Sequence, residues 1–184
     1  ACTLSEAELA LRIFREQVEP FAAAAPAQTS VLVLMDPGQD LDDEMFLVML
    51  AALSARGLVH CVGVVCTLEP ATIRAKLARG TLNELGLHDV PVAAGTDGGA
   101  KSGGGMDASA RKLEKGVSYL TATGVAGNTG LSLMKEVLES AEPKSVSLVL
   151  ISSLKDAADL LRTYEELFAA KVKEVVIQGG VVAT

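Results

Sequence analysis

No tryptophan occurs in the 184 residues of this chain, and two tyrosines with four phenylalanines bring aromatic content to only 3%. The hydrophobic fraction is nevertheless 49%, so the core must be built from Ala, Val, Leu and Ile. A chain of this length is enough for one domain with a sizeable core. Positive charge is also scarce: 16 Lys and Arg stand against 23 Asp and Glu, for a net charge of -7. An acidic chain without a basic stripe is a poor candidate for binding nucleic acid or an anionic membrane. No apolar run reaches membrane-spanning length, the longest lying near residues 45–53, so no direct membrane insertion is expected. The first residues carry Ser5, Glu6 and Glu8 with no basic segment, so no signal peptide is visible. The start at Ala1, without Met, points to processing or trimming.

Cysteine is scarce too. Cys2, Cys61 and Cys66 are odd in number and lack metal-type spacing, which argues against a disulfide framework or a zinc site. Cys61 and Cys66 lie in or beside one apolar run, where strand alternation directs them to opposite faces. Buried reduced thiols are expected, and with them a reducing compartment, either cytoplasm or the interior of an organelle.

What the chain has in excess is acid in one place. Asp36-Pro37-Gly38-Gln39-Asp40-Leu41-Asp42-Asp43-Glu44 holds five carboxylates in nine residues, directly after the apolar run Val31-Leu32-Val33-Leu34-Met35. The run predicts a buried strand, and residues 42–56, apolar nearly all round, predict a buried helix. The acids then occupy a strand-to-helix loop, where ligands bind in open α/β sheets. Carboxylates crowded there repel one another unless protons or a cation offset the charge, and a hard divalent cation held by oxygens does so economically. The alternative is plain capping: Asp42 or Asp40 as a helix cap with further acids in the first turn, which accounts for one or two of the five.

Elsewhere, strands are predicted at 31–36, 60–66, 91–94, 146–152 and 173–179, and helices at 42–56, 70–86, 129–141 and 154–170. In the last helix Leu154, Ala157, Ala158, Leu161 and Phe168 share a face. This alternation predicts an α/β fold: a Rossmann-like, mostly parallel sheet with helices on both faces. Residues 1–29 are expected to be an appended helix (4–19, with a Ser5/Glu8 capping box and a Leu4/Leu9 staple) and a linker, ahead of an α/β domain over 30–184. Residues 95–128, rich in glycine and including Lys101, predict a flexible loop able to act as a lid over the acids, without the spacing of a phosphate-binding loop.

Three blocks, in order over residues 30–181, resemble the nucleoside hydrolase family, the inosine-uridine-preferring N-ribohydrolases. The first is Val33-Leu34-Met35-Asp36-Pro37-Gly38 with Asp42-Asp43. The second runs from Gly63-Val64-Val65 to Leu85-Gly86-Leu87-His88-Asp89-Val90-Pro91-Val92-Ala93-Ala94-Gly95. The third is Leu150-Ile151-Ser152-Ser153-Leu154-Lys155-Asp156-Ala157-Ala158 followed by Val172 to Gly180. The resemblance implies a calcium ion that grips a ribose diol and positions a water for attack on the anomeric carbon, with charge developing on the ribose. It implies Asp36 as calcium ligand and general base, Asp43 as calcium ligand and Asp42 on the ribose hydroxyls. It further implies that the backbone carbonyl of Ile151 is offered to the ion. The expected partner is a ribonucleoside or other ribose-containing small molecule, and the reaction is hydrolysis of its N-glycosidic bond.

The sequence departs from the family in three ways. Gln39-Asp40-Leu41 replaces a single residue before the Asp pair, so the loop bulges or Asp40 takes over a ligand position. Cys66-Thr67-Leu68-Glu69 stands where the family has a longer loop with a Gly-Asn. A further calcium-binding aspartate and a base-protonating histidine belong to the family's second half, beyond the position of Thr184. His60 and His88 are expected to be structural or solvated. The expectation is therefore either a fragment or a chain whose sheet edge at Val175-Val176-Ile177 is covered by a partner chain or second copy. This chain alone is expected to be inactive, and the competing reading is a noncatalytic accessory or structural subunit. A third reading, a magnesium site of the phosphotransfer type, needs a lysine at a later strand end, which Lys155 fits poorly.

Overall fold

A computed structural model describes residues 28–38, 41–99, 124–126 and 129–179. The expected N-terminal helix and capping box, Cys2, Asp40, Lys101 and most of the proposed lid lie outside these residues.

The elements follow in the order β1 (Thr29–Met35), α1 (Asp42–Ser54), β2 (Val59–Cys66), α2 (Ala71–Glu84), β3 (Val92–Ala94), α3 (Gly130–Ser140), β4 (Val146–Leu150), α4 (Lys155–Thr163), α5 (Glu165–Lys171) and β5 (Val172–Ile177). The five strands form one sheet in the order β3-β2-β1-β4-β5, and every pairing is parallel. The expected α/β architecture is therefore present. Two apolar cores flank the sheet. Val31, Val33 and Met35 pack with Leu47 and Leu50 of α1 and Ala75, Ala78 and Leu82 of α2 on one face. Leu32, Leu34, Leu148 and Leu150 pack with Leu133, Met134 and Leu138 of α3 and Leu160 of α4 on the other. The strand-to-helix connection thus leaves β1 toward one face and β4 toward the other. Adjacent strands with opposite exits open a crevice at their carboxyl ends, and in such sheets that is where ligands bind.

Four local expectations are corrected. Cys61 and Cys66 face the same core, not opposite ones. The register between β1 and β2 slips at Val31/Leu32, which pair with Cys61 and Gly63; the unpaired Val62 is a bulge that resets the alternation. Helix 154–170 is two helices, because Tyr164 leaves helical geometry at φ -134, ψ 50. The break re-phases the apolar stripe: Ala157 and Leu160 are buried, whereas Leu154 and Leu161 are exposed. Finally, α1 is not buried all round. Leu47 and Leu50 face the sheet, but Met45 is 63% exposed, and Leu41, Val48 and Met49 are exposed beside it. At the sheet edge, β5 carries Val175, Val176 and Ile177, all exposed as expected. Among the described residues, no helix is long and apolar enough to cross a membrane.

Candidate functional site

The acids stand at the carboxyl end of β1. Gly38 turns the chain with φ 106, a backbone conformation open to glycine and strained for other residues. Helix α1 begins at Asp42; Leu41 occupies the N-cap and no side chain caps the helix. The capping role considered for Asp42 is thus not taken up. Asp42 is exposed, and its Oδ2 accepts a hydrogen bond of 3.3 Å from Nε2 of Gln178, just past β5.

Asp43 turns inward and is 2% exposed. Its Oδ1 accepts the backbone N–H of Asp36 at 3.3 Å. Burial pushes its carboxyl up to about 7, and the charges of Asp36, Asp42 and Glu44 push the same way. Asp36 is half-buried. Ile151 follows β4, and its N–H donates to the carbonyl of Leu34 at 3.0 Å, which sets it beside the β1 end. The structure therefore brings Asp36, Asp43 and Ile151 to the crevice between β1 and β4, with Asp42 at its β5 side.

Sequence reasoning missed two buried charged side chains behind these residues. Arg74, on the first turn of α2, is 4% exposed. Its guanidinium donates to the carbonyls of Asp36, of Pro37 at 2.9 Å and of Glu69 at 3.5 Å. Asp156, at the start of α4, is 2% exposed. It accepts the hydroxyls of Thr67 and Thr96 at 2.7 Å each and the Thr96 N–H at 2.9 Å. Arg74 joins the loop after β1 to the loop after β2; Asp156 joins the loop after β2 to those after β3 and β4. Leu68, between the two anchors, is held at φ 65, a conformation a branched residue adopts when its surroundings over-determine it.

Other sequence candidates fall elsewhere. His60 opens β2 and His88 lies in the turn after α2, both exposed and at the opposite end of the sheet from the acids. Lys155 pairs with Asp97 and Asp159, at 3.5 Å each, not with Asp36 as a phosphotransfer site would require. Cys61 and Cys66 are buried free thiols; burial pushes Cys61 up to about 11 and raises Cys66 as well.

The donor set suits a hard cation in kind. Asp36 and Asp43 offer carboxylate oxygens and Ile151 a carbonyl, and a buried carboxyl among like charges gains most from a cation. In number it is partial. Calcium takes about six to eight oxygens, and no group of three or more His, Cys, Asp or Glu side chains among the described residues is arranged to hold a metal.

The whole architecture has solved counterparts. A plant nucleoside hydrolase, PpNRh1, matches 85% of this chain with a TM-score of 0.62 and 15% identity, and a purine-preferring ribonucleoside hydrolase from Gardnerella vaginalis matches 82% with a TM-score of 0.62 and 16% identity. The chain has the nucleoside hydrolase fold. Two further structures with more sequence in common match the nucleoside-hydrolase-like chain almost end to end. The type III effector protein XopQ, solved in complex with adenosine diphosphate ribose, covers 98% of it at 28% identity and a TM-score of 0.75. The effector protein XOO4466 covers 99% at 29% identity and a TM-score of 0.75. In all four cases the chain spans about half the length of the matched protein, 49–51%. Neither a known protein-family profile nor a curated protein sequence matches it.

Proposed function

We propose that this chain supplies the ribose-binding, calcium-assisted face of a nucleoside-hydrolase-like protein that cleaves the N-glycosidic bond of a ribonucleoside or related ribose compound. The observation that carries the proposal is the contact between Asp36 and the buried Asp43 in the crevice between β1 and β4. Asp36, Asp43 and the Ile151 carbonyl would hold the ion, and Asp42, the exposed acid of the set, would meet ribose hydroxyls. Bound calcium would supply charge neutralisation and Lewis acidity toward the diol. Asp36 is half-buried and next to a second acid, which suits it to accept a proton from an attacking water. The adenosine diphosphate ribose complex of XopQ supports a ribose-containing ligand and extends the class beyond simple nucleosides.

The test is calorimetric titration of calcium into the full chain, with and without ribose or adenosine diphosphate ribose, followed by an assay for ribose release from nucleosides. Saturable binding that the sugar strengthens, and that Asp43→Ala abolishes, is the expected result. Absence of binding at millimolar calcium overturns the calcium assignment.

A second reading, a noncatalytic subunit of a larger assembly, is favoured by one observation: the apolar and exposed edge strand β5. Under this reading a protein surface covers Val175, Val176 and Ile177, and the ribose site is retained without turnover.

A further inference from the structure

Arg74 grips the acidic loop from the first turn of α2. Its guanidinium takes the carbonyls on both sides of Pro37, those of Asp36 and Pro37 themselves, and reaches across to Glu69. The Asp36 residue held in this way is the same one whose N–H is bonded to Asp43 Oδ1. The Asp36 N–H lies in the Met35–Asp36 peptide plane, whose carbonyl accepts the Thr67 N–H at 2.9 Å. Arg74 holds the next plane, and the two together fix the Asp36 backbone torsions and so the direction in which its carboxyl leaves the chain relative to Asp43. A planar guanidinium with several donors can hold three carbonyls at once; a lysine ammonium on the same stem cannot reproduce that fork. The helix face confirms the placement: Ala71, Arg74, Ala75, Ala78 and Leu82 are all buried, so Arg74 emerges from the apolar side of α2.

We propose that Arg74 is the positioning residue of the Asp36–Asp43 pair, setting the geometry in which the two acids meet a ligand. The inference rests on the proposed ribose and calcium site only for its ligand readout.

The experiment compares the wild-type chain with Arg74→Ala and Arg74→Lys in two measurements: calcium and ribose titration, and site-resolved amide hydrogen exchange at Asp36. Both variants are expected to bind about 10–100-fold more weakly, the range seen when a residue supporting a metal ligand is removed, and to lose protection at the Asp36 amide while the β1 and β4 amides stay protected. Free guanidinium, added below denaturing concentration, is expected to restore both readouts in Arg74→Ala and neither in Arg74→Lys, whose side chain fills the space. If wild type binds neither calcium nor ribose, the proposed function falls, and the exchange measurement alone decides: guanidinium-reversible loss of protection at Asp36 upholds the positioning role. Wild-type protection at Asp36 in either folded variant overturns it. So does a loss of protection spread over the whole sheet in both variants that guanidinium does not reverse, since that is support of the fold and nothing more local.

Discussion

Asp43 accepts the backbone N–H of Asp36 at 3.3 Å, seven residues back along the chain. The residues that separate Asp36 from Asp43 in sequence therefore do not part them in the fold. The consequence is electrostatic. One carboxyl is buried, and the charges of Asp36, Asp42 and Glu44 all push it upward. Such a site favours a proton or a cation, and this preference links the fold of the loop to its chemistry.

That linkage predicts a pH dependence of stability. Burial first, and the Asp36 charge second, push the Asp43 carboxyl up to about 7, against about 3.9 in an unfolded chain. Between these values the folded chain holds a proton that the unfolded chain has released, so stability falls as pH rises through this window. The contribution is fully present below about pH 4 and lost above about pH 7, with a size on the order of 2–4 kcal/mol. Asp43→Asn carries no titrating charge. Thermal melts across this range should show a flatter profile for the variant, and a higher Tm than wild type on the alkaline side. Parallel profiles would mean that Asp43 is ionised throughout.

A second prediction concerns Asp156. Its carboxylate accepts three hydrogen bonds, two from threonine hydroxyls and one from the Thr96 N–H. Asp156→Ala strands those donors in a buried site and should cost about 3–5 kcal/mol in urea unfolding. Asp156→Asn keeps one acceptor oxygen and the side-chain shape, so the loss should be roughly half as large. Gly95→Ala should disturb the same group, because a Cβ there would lie 2.7 Å from Asp156 Oδ1. Equal stabilities for the Ala and Asn variants would show that the acceptor oxygen and the shape retained by Asn contribute nothing.

The sheet and the acidic loop were legible because they are written locally. An apolar run followed by Asp36-Pro37-Gly38 and an apolar helix gives a strand, a turn and a crevice without knowledge of anything distant. Arg74 and Asp156 were not legible because their partners lie far away in sequence: Arg74 reaches back 38 residues to Asp36, and Asp156 reaches 89 residues to Thr67. A weak signal existed. Arg74 shares the helix stripe of Ala71, Ala75 and Ala78, and a charge on an otherwise apolar stripe marks a buried group held by hydrogen bonds. The bulge at Val62 and the break at Tyr164 left no such trace. Both arise from how neighbouring elements fit together, which period alone does not carry.

The last prediction concerns β5. Its partner strand β4 is covered on both faces, with Val149 packed against one core and Leu148 and Leu150 buried in the other. On β5 the equivalent positions in register, Val176 beside Val149 and Val175 and Ile177 beside Leu148 and Leu150, are exposed, with Val176 at 49%. Consecutive exposed β-branched residues on an unpaired edge are a template for further pairing. If a protein surface covers this strand, Val176→Lys should lower association without weakening the fold, since a surface substitution of this kind usually changes stability by no more than about 0.5 kcal/mol. Sedimentation over a concentration series is the measurement. Wild type is expected to associate as concentration rises and the variant to sediment as a monomer. Identical behaviour of the two would remove β5 as an interaction surface, and with it the observation that favours a subunit role. A variant that sediments as a monomer and still binds ribose would separate the edge from the acidic crevice, as their different strands imply.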